Sequence, residues 1–206
     1  MQQTELGEVP EGWRVSTIGE EVETLGGGTP STEEEDYWKD GNVNWYSPTD
    51  LTKASTLFSL SSGTKINEAG LKNSSAKLFP AYSLMMTSRA TVGVIAINTT
   101  EACTNQGFIT IIPNQNIHLF FLHGWLCLQL KKVNNLASGS TFPEISKSDF
   151  RSLEVVLPSP NIMNQHKEIA EPIFNSIENN QKEIQTLTQL RDSLLPRLMS
   201  GKLRVG

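Results

Sequence analysis

The feature that most constrains this chain is a row of residues near its C-terminus, spaced alternately four and three apart. The row starts at Ile173 and continues to Leu198. This spacing keeps one face of a helix turned toward a partner helix, because a repeat of 3.5 residues is the period of a coiled coil. The predicted dimerisation positions are Ile173, Ile177, Asn180, Ile184, Leu187, Arg191, Leu194 and Leu198.

Two positions in this row are polar. Asn180 is expected to fix the register or the choice of partner at some cost in stability, and Arg191 requires a carboxylate or an open edge. From Pro172 to Met199 the segment would form about 40 Å of helix. A helix of that length with a narrow apolar stripe is expected to pair with another helix, and the alternative is a helix that lies along its own domain.

Length and composition indicate one folded domain with an appendage. The chain has 206 residues, of which 37% are hydrophobic and 19% are charged, and these values exclude a disordered or membrane-embedded chain. The apolar stretches are too short to span a bilayer, and residues 1–10 are too polar for a signal peptide. Cys103 and Cys127 form no recognisable motif and are expected to be buried thiols in a reducing cytoplasm.

The net charge of −5 is unevenly distributed along the chain. Residues 1–40 carry two basic and eleven acidic side chains (−9), residues 41–157 carry nine and six (+3), and residues 158–206 carry six and five (+1). The acidity is therefore concentrated at the front of the chain, and the middle is mildly basic. This distribution permits DNA binding without demonstrating it.

Short alternating or apolar runs between turn residues predict a β-rich domain. The predicted strands are residues 43–46, 65–67, 82–87, 91–97, 107–112 and 153–157. Thr17 and Glu20 predict a capping box for a helix that ends near Leu25, and residues 119–136 predict a buried helix. The stiff sequence Pro158-Ser159-Pro160 precedes the long helix. We therefore predict an α+β fold with a domain at 1–158 and a long helix within 159–206.

Catalytic motifs are absent from the sequence. The segment 26–31 lacks the Lys-Ser/Thr pair of a phosphate-binding loop, and residues 47–50 do not form the tetrad of an amino-methyltransferase. Glu144 and Lys147 lack an Asp partner for a nuclease metal site. His118, His123 and His166 lack the spacing of zinc ligands. We therefore predict no catalytic residue, no metal and no cofactor, which leaves binding as the function.

Several segments along the chain carry a resemblance to a known family. They are residues 5–13 (Glu-Leu-Gly-Glu-Val-Pro-Glu-Gly-Trp), 27–31 (Gly-Gly-Thr-Pro-Ser), Trp45 before Asp50, 105–107 (Asn-Gln-Gly) and 194–205 (Leu-Leu-Pro-Arg-Leu-Met-Ser-Gly-Lys-Leu-Arg-Val). In this order they resemble the specificity subunit of type I restriction–modification enzymes. Two positions depart from the family pattern. Asn164 replaces the usual Glu at the entry to the helix, and Pro172 is expected to kink or restart the helix.

The resemblance implies a partial subunit. A full subunit of this family has two target recognition domains, each followed by a conserved helix, and the two helices pair antiparallel as a spacer. This chain is similar to one half, so it is either a natural half-subunit that dimerises or the C-terminal half of a longer protein. The implied partners are double-stranded DNA, methyltransferase (modification) subunits, the restriction subunit through them, and a second copy or another half-subunit.

DNA recognition requires side chains that reach phosphates and base edges. Arg89 lies among hydroxyl residues between two predicted strands, where it would contact a guanine or form a surface salt bridge. Asn105 and Gln106 would offer amides to adenine, or cap the strand that starts at Gly107. The candidate DNA-contacting residues are Thr29, Ser31, Ser88, Arg89, Thr91, Asn105, Gln106, Thr141 and Lys147.

The hypothesis from the sequence is a non-catalytic specificity subunit. It would recognise one half of a bipartite DNA target and position the methyltransferase and restriction subunits. One alternative is a recognition domain derived from, or acting with, a stand-alone DNA methyltransferase or endonuclease. The other is a coiled-coil assembly protein with no role in DNA binding.

Overall fold

The computed structural model describes residues 1–4, 7–139 and 143–202. The candidate residue Thr141 lies outside this range, as do Glu5, Leu6 and residues 203–206 of the terminal segments. The strands are β1 (Gln2–Thr4), β2 (Gly7–Val9), β3 (Arg14–Thr17), β4 (Glu23–Gly26), β5 (Val43–Tyr46), β6 (Phe58–Ser59), β7 (Thr64–Ile66), β8 (Leu84–Thr87), β9 (Ile95–Asn98), β10 (Ala102–Thr104), β11 (Phe108–Ile112) and β12 (Glu154–Leu157). The helices are α1 (Ile18–Glu21), α2 (Pro48–Ala54), α3 (Glu68–Lys72), α4 (Leu119–Leu136), α5 (Lys147–Arg151) and α6 (Pro160–Met199), with a 3₁₀ turn at Glu35–Tyr37.

A five-stranded sheet in the order β4-β11-β8-β9-β6 forms the centre of the domain. Its strands pair antiparallel except for β6 and β9, which are parallel. Successive side chains of a strand point to opposite faces, so Leu84 and Met86 belong to one core cluster and Met85 to another. The first cluster includes Leu122 and Leu126 of α4. Both faces of the central strands are therefore buried.

Two smaller sheets and a hairpin complete the β structure of the described residues. The order β10-β5-β7 forms a three-stranded sheet, in which β10 and β5 are parallel. Its residues Tyr46 and Ala102 pack in the same cluster as Met85 and so cover the second face of the central sheet. Strand β12 pairs antiparallel with β3, and β1 pairs with β2.

Helix α4 has the bounds that the sequence predicts. Its N-cap is His118, whose side chain accepts a hydrogen bond from the amide of Phe121. Leu122, Leu126 and Val133 are fully buried, whereas Leu128 is 84% exposed. The helix therefore packs one face against the central sheet and leaves the opposite face open.

Helix α6 is a single helix of 40 residues. Pro172 lies inside it, so of the two predicted effects of this proline a restart of the helix does not occur. Met163 is buried, and Phe174 and Ile177 pack partly buried against the core of the domain. From Lys182 to Ser200 every residue except Leu194 is exposed. The first half of α6 is therefore held by the domain, and the second half projects from it.

The predicted α+β class with a long C-terminal helix is confirmed, but three local predictions are wrong. The strand predicted over residues 91–97 begins only at Ile95. Helix α1 ends at Glu21 rather than near Leu25, because Glu23–Gly26 pairs as a strand with β11. The capping box of Thr17 and Glu20 is present. Cys103 is buried, which raises the pKa of its thiol to about 12, but Cys127 is exposed on the outer face of α4. The division of the chain at 158 and 159 stays a prediction.

Candidate nucleic-acid interface

Three loops meet where neighbouring strands of the central sheet end. The pairs Ile109↔Gly26 and Phe108↔Thr87 place the end of β4, the start of β11 and the end of β8 side by side. The start of β9 joins them through its pairing with the end of β8. We name this region the loop edge and define it as residues 27–31, 88–94 and 105–107, together with residue 144.

Arg89 is the basic side chain of the loop edge, and it forms a two-pronged ion pair. Its Nε and Nη2 donate to the two carboxylate oxygens of Glu144 at 3.0 and 2.9 Å. The side chains are 51% and 42% exposed, and the hydrogen bond to Glu144 raises the pKa of Arg89. The predicted surface salt bridge is therefore present. Because such exposed pairs are weak, Arg89 can exchange Glu144 for another acceptor at small cost.

Backbone hydrogen bonds fix the loop that carries Arg89. The amide of Ala90 donates to the carbonyl oxygen of Pro143, and the amide of Ile145 donates to that of Ser88. The amide of Ser88 in turn donates to the carbonyl oxygen of Gly107. Ser88 is itself buried. The backbone of Ser88 therefore connects its own loop to the segments around Gly107 and Ile145. Thr91, in contrast, is exposed.

The glycine-rich loop and the Asn-Gln-Gly turn contact each other. The hydroxyl of Thr29 donates to Oε1 of Gln106 at 2.7 Å, and the amide of Gly28 donates to the carbonyl oxygen of Thr104 at 2.8 Å. The side chain of Asn105 accepts from the amide of Gly107 at 2.9 Å. Asn105 thus has the strand-capping geometry that the sequence offered as one alternative, while Gln106 is exposed.

The close approach of these loops requires glycine. A Cβ atom at Gly27 would lie 2.0 Å from the carbonyl oxygen of Asn105 and 2.2 Å from that of Thr104. A Cβ atom at Gly28 would lie 2.4 Å from the backbone of Ser75. The Gly-Gly pair therefore sets the position of the following Thr29.

The remaining candidates lie in two places. Ser31 is exposed, its hydroxyl accepts from the amide of Glu33 at 3.3 Å, and its carbonyl oxygen accepts from the indole of Trp38 at 3.0 Å. Lys147 is the first residue of α5 and lines a groove with Glu20 and Arg151. The structure thus gathers the candidates of three loops at one edge and places Lys147 on a separate element.

Sequence reasoning did not identify Glu144 as part of this region. It appeared only as a candidate metal ligand for a nuclease, although it is the partner of Arg89. The two residues are 55 positions apart in the chain, so no local spacing pattern could have paired them. The carboxylate could have been found only from the packing of the segment around Ile145 against the Arg89 loop.

Within the part of the chain that the structure describes, no three His, Cys, Asp or Glu residues are grouped so that they could hold a metal ion. In the same ranges, no helix combines the length and the apolar character needed to cross a membrane. The described chemistry of the loop edge is that of hydrogen-bond donors and acceptors around one arginine.

Comparisons with known proteins agree on one family. Residues 10–189 match the sequence model of the type I restriction modification DNA specificity domain. The chain is 31% identical over 192 residues to the type I restriction enzyme MjaIX specificity subunit of Methanocaldococcus jannaschii, an alignment that covers 92% of this chain and 44% of the relative. It is 29% identical over 202 residues to the HindI specificity subunit of Haemophilus influenzae, covering 95% and 42%. The chain therefore spans less than half the length of these curated relatives.

Solved structures show the same fold. The HsdS subunit from Thermoanaerobacter tengcongensis superposes with a TM-score of 0.60 at 17% identity, over 97% of this chain and 48% of that one. The type I restriction–modification S subunit from M. genitalium gives a TM-score of 0.61 at 18% identity, over 91% and 46%. In both, the similarity covers about half of the longer chain.

Proposed function

Because the chain belongs to the family of type I restriction modification DNA specificity domains, we propose that it is a non-catalytic unit that recognises a DNA sequence. The observation that carries this proposal is the loop edge, where one sheet presents a guanidinium, an amide and hydroxyls from three loops. These are the groups that contact phosphates and base edges in the major groove. The description of the family and the names of the relatives refer to specificity, in agreement with a non-catalytic role.

The proposed role of Arg89 is a contact with guanine. An arginine that binds guanine uses two donors in a fork, and Arg89 already presents this fork to Glu144. A good two-pronged base contact contributes about 1–3 kcal/mol of discrimination. Because the exposed ion pair with Glu144 is weak, we expect DNA to displace the carboxylate from Arg89.

We also propose that the chain recognises only half of the DNA target and that it binds partner subunits. One loop edge would recognise one half of a bipartite site, and α6 would set the distance to the other half through a second copy or another half-subunit. The chain would also position the methyltransferase subunits and, through them, the restriction subunit. The exposed second half of α6 supports this division of labour, because an apolar stripe in water is typical of a helix that binds another protein.

The first test is a methylation map of the native genome by long-read sequencing, with the gene intact and deleted. A methylated motif that disappears on deletion supports the specificity role. If all motifs persist on deletion in cells that express a type I methyltransferase subunit, the proposal of a specificity role is wrong.

A second test isolates Arg89 in purified protein. Removing Arg89 alone leaves the Glu144 carboxylate unpaired beside the DNA, so the informative comparison is Arg89→Ala with Glu144→Ala against Glu144→Ala alone. We expect the double variant to bind the target duplex at least 10-fold more weakly and to lose preference at one base pair. The control is Arg14→Ala, because Arg14 is also an exposed arginine paired with a carboxylate, that of the more buried Glu21, near the opposite end of β4. Equal DNA binding by all variants would mean that Arg89 does not contact the DNA.

A further inference from the structure

The backbone of Glu144 is held from both sides at the loop edge. On one side its amide donates to the carbonyl oxygen of Ser138, and its own carbonyl oxygen accepts from the amide of Ser138. On the other side it faces Arg89 in an antiparallel bridge, in which the hydrogen bonds join the residues that flank the pair. In a pair of this kind the Cα atoms lie about 4.5 Å apart and the two side chains point to the same face. The carboxylate and the guanidinium are therefore presented together.

A contact between Arg89 and DNA leaves the Glu144 carboxylate in need of a new donor. In the described part of the chain, this carboxylate has hydrogen bonds only to Arg89. An ionised carboxylate can only accept, and beside DNA it also lies in the negative field of the phosphates. A polar group that loses water without gaining a hydrogen bond is unfavourable. The base that Glu144 meets must therefore offer an N–H group.

The major-groove edges of the four bases differ in this respect. Cytosine presents the N4 amino group and adenine the N6 amino group, whereas guanine and thymine present acceptor oxygens, which would repel a carboxylate. Adenine also presents the acceptor N7 beside its amino group, and this atom would face the second carboxylate oxygen. Cytosine is therefore the base that best matches Glu144.

We propose that Glu144 is a specificity-determining residue that accepts a hydrogen bond from N4 of a cytosine, in the base pair next to the guanine contacted by Arg89. The separation of the two residues, about 4.5 Å between Cα atoms, is close to the rise of about 3.4 Å between stacked pairs. Glu144 acts by exclusion, because its charge disfavours the other three bases. This inference rests on the proposed function, since it requires that the loop edge binds DNA.

Selection of duplexes from a random library by the parent chain and by Glu144→Gln tests the proposal. A glutamine amide has one donor and one acceptor, which match N7 and N6 of adenine. We expect the parent to enrich cytosine beside the guanine that depends on Arg89, and the variant to enrich adenine at that place while it keeps the guanine. In a defined duplex, replacing this cytosine by thymine should weaken binding by the parent about 10-fold.

A second measurement separates base selection from a structural role of Glu144. Removal of its negative charge lowers the repulsion from the phosphates, so Glu144→Gln should bind a scrambled duplex more tightly than the parent does, with a difference that decreases as salt is added. A purely structural role would weaken binding to every duplex. The control is Glu21→Gln, because Glu21 also accepts from an arginine, Arg14, through both carboxylate oxygens. This variant should keep the preference for cytosine.

The outcomes distinguish this inference from the proposed function. If the parent shows no preference for cytosine beside the guanine, or if Glu144→Gln retains that preference, the role of Glu144 is wrong. The proposed function would still stand in that case, because the guanine would still depend on Arg89. If the parent enriches no sequence, both the proposed function and the role of Glu144 are wrong.

Discussion

His118 links two helices through an uncharged ring. Its Nδ1 accepts from the amide of Phe121 as the N-cap of α4, at 3.2 Å. Its Nε2 lies 3.1 Å from the carbonyl oxygen of Met163 in α6. Because Nδ1 can accept only without a proton, Nε2 carries the hydrogen and donates it to Met163. Protonation of Nδ1 would remove the cap and place a positive charge at a helix N-terminus, which is unfavourable.

We expect stability to fall in mild acid through His118. Burial is the main cause that lowers the pKa of His118; His166 and Lys167 add to it, while the bond to Met163 and Glu171 oppose it. With the folded pKa below the unfolded value of 6.5, the unfolded chain binds the proton more readily. The free energy of unfolding is therefore highest above this value and decreases as the pH falls below it.

The test is His118→Asn, which keeps a capping acceptor but cannot titrate. Urea unfolding at about pH 7.5 and 5.5 should show a smaller difference between the two conditions in the variant than in the parent. Some dependence should persist, because burial also lowers the pKa of His123. An unchanged difference would mean that His118 does not contribute to it.

The two adjacent glycines at the end of β4 should differ sharply in their tolerance of a methyl group. Gly27→Ala would force a Cβ atom to 2.0 Å from a carbonyl oxygen, so the loop edge must shift. At Gly26 a Cβ atom has no other atom within 4 Å. We expect Gly27→Ala to lower the free energy of unfolding by about 1–3 kcal/mol, as overpacking does, and to weaken DNA binding. Gly26→Ala should change unfolding by less than about 0.5 kcal/mol. The measurement is thermal unfolding of both variants. Equal melting temperatures would mean that Gly27 tolerates a methyl group as well as Gly26 does.

At the scale of elements, the sequence predicted best where one segment alone determines the structure. The long apolar run of α4 was predicted with its observed bounds, because a helix satisfies its backbone hydrogen bonds internally. Helix α2 was missed although Ser47 and Asp50 form a capping box with Pro48 at the first turn, a local signal that was available. The strand at Glu23–Gly26 could not be predicted in the same way, because it exists only through pairing with the distant β11.

The attachment of α6 to the domain should depend on Phe174. This ring lies with its centroid 4.7 Å from that of Phe120 and 6.4 Å from that of Phe58. Complete burial of a phenylalanine would make its replacement by alanine cost about 3–5 kcal/mol. For this half-buried ring we expect Phe174→Ala to cost about 2 kcal/mol. The measurement is urea unfolding, with Ile169→Ala as the control on the same helix, because Ile169 is 71% exposed. If Ile169→Ala lowered the free energy of unfolding as much as Phe174→Ala, the effect would come from helix propensity and not from the attachment of α6 to the domain.

At the scale of the whole molecule, the candidate interface was predicted as separate loops and not as one surface. The residue types pointed to Thr29, Arg89 and Gln106 individually, since hydroxyl, guanidinium and amide groups are suited to DNA. Their proximity follows from the antiparallel register of four strands, β4, β11, β8 and β9, which no local pattern specifies. The pairing of Arg89 with Glu144 depends on a further long-range contact. Residue chemistry was therefore accessible from the sequence, and the arrangement was not.

The proposed pairing of α6 with a second copy of the chain leads to a prediction about the shape of the DNA target. An antiparallel pair of helices is related by a two-fold axis, and a two-fold protein binds an inverted repeat. If the row from Ile173 to Leu198 pairs antiparallel about its own centre, between Ile184 and Leu187, the two copies of Phe174, where each domain is attached, lie about 35 Å apart along the helices. This matches one turn of B-DNA, so the half-sites should be centred about 10 base pairs apart.

The symmetry and spacing of the half-sites can be measured by selecting the duplexes that the purified chain binds from a random library. We expect the enriched sequences to contain an inverted repeat with a fixed, unselected spacer between the halves. About the same centre, Asn180 of one copy would lie opposite Arg191 of the other. The control is Arg191→Leu, which leaves Asn180 opposite an apolar residue and removes the polar match that would fix the register. The spacer should then become variable or the second half-site should disappear. A direct repeat, or a single asymmetric site bound by the parent chain, would mean that the two recognition units are not related by the symmetry of this helix.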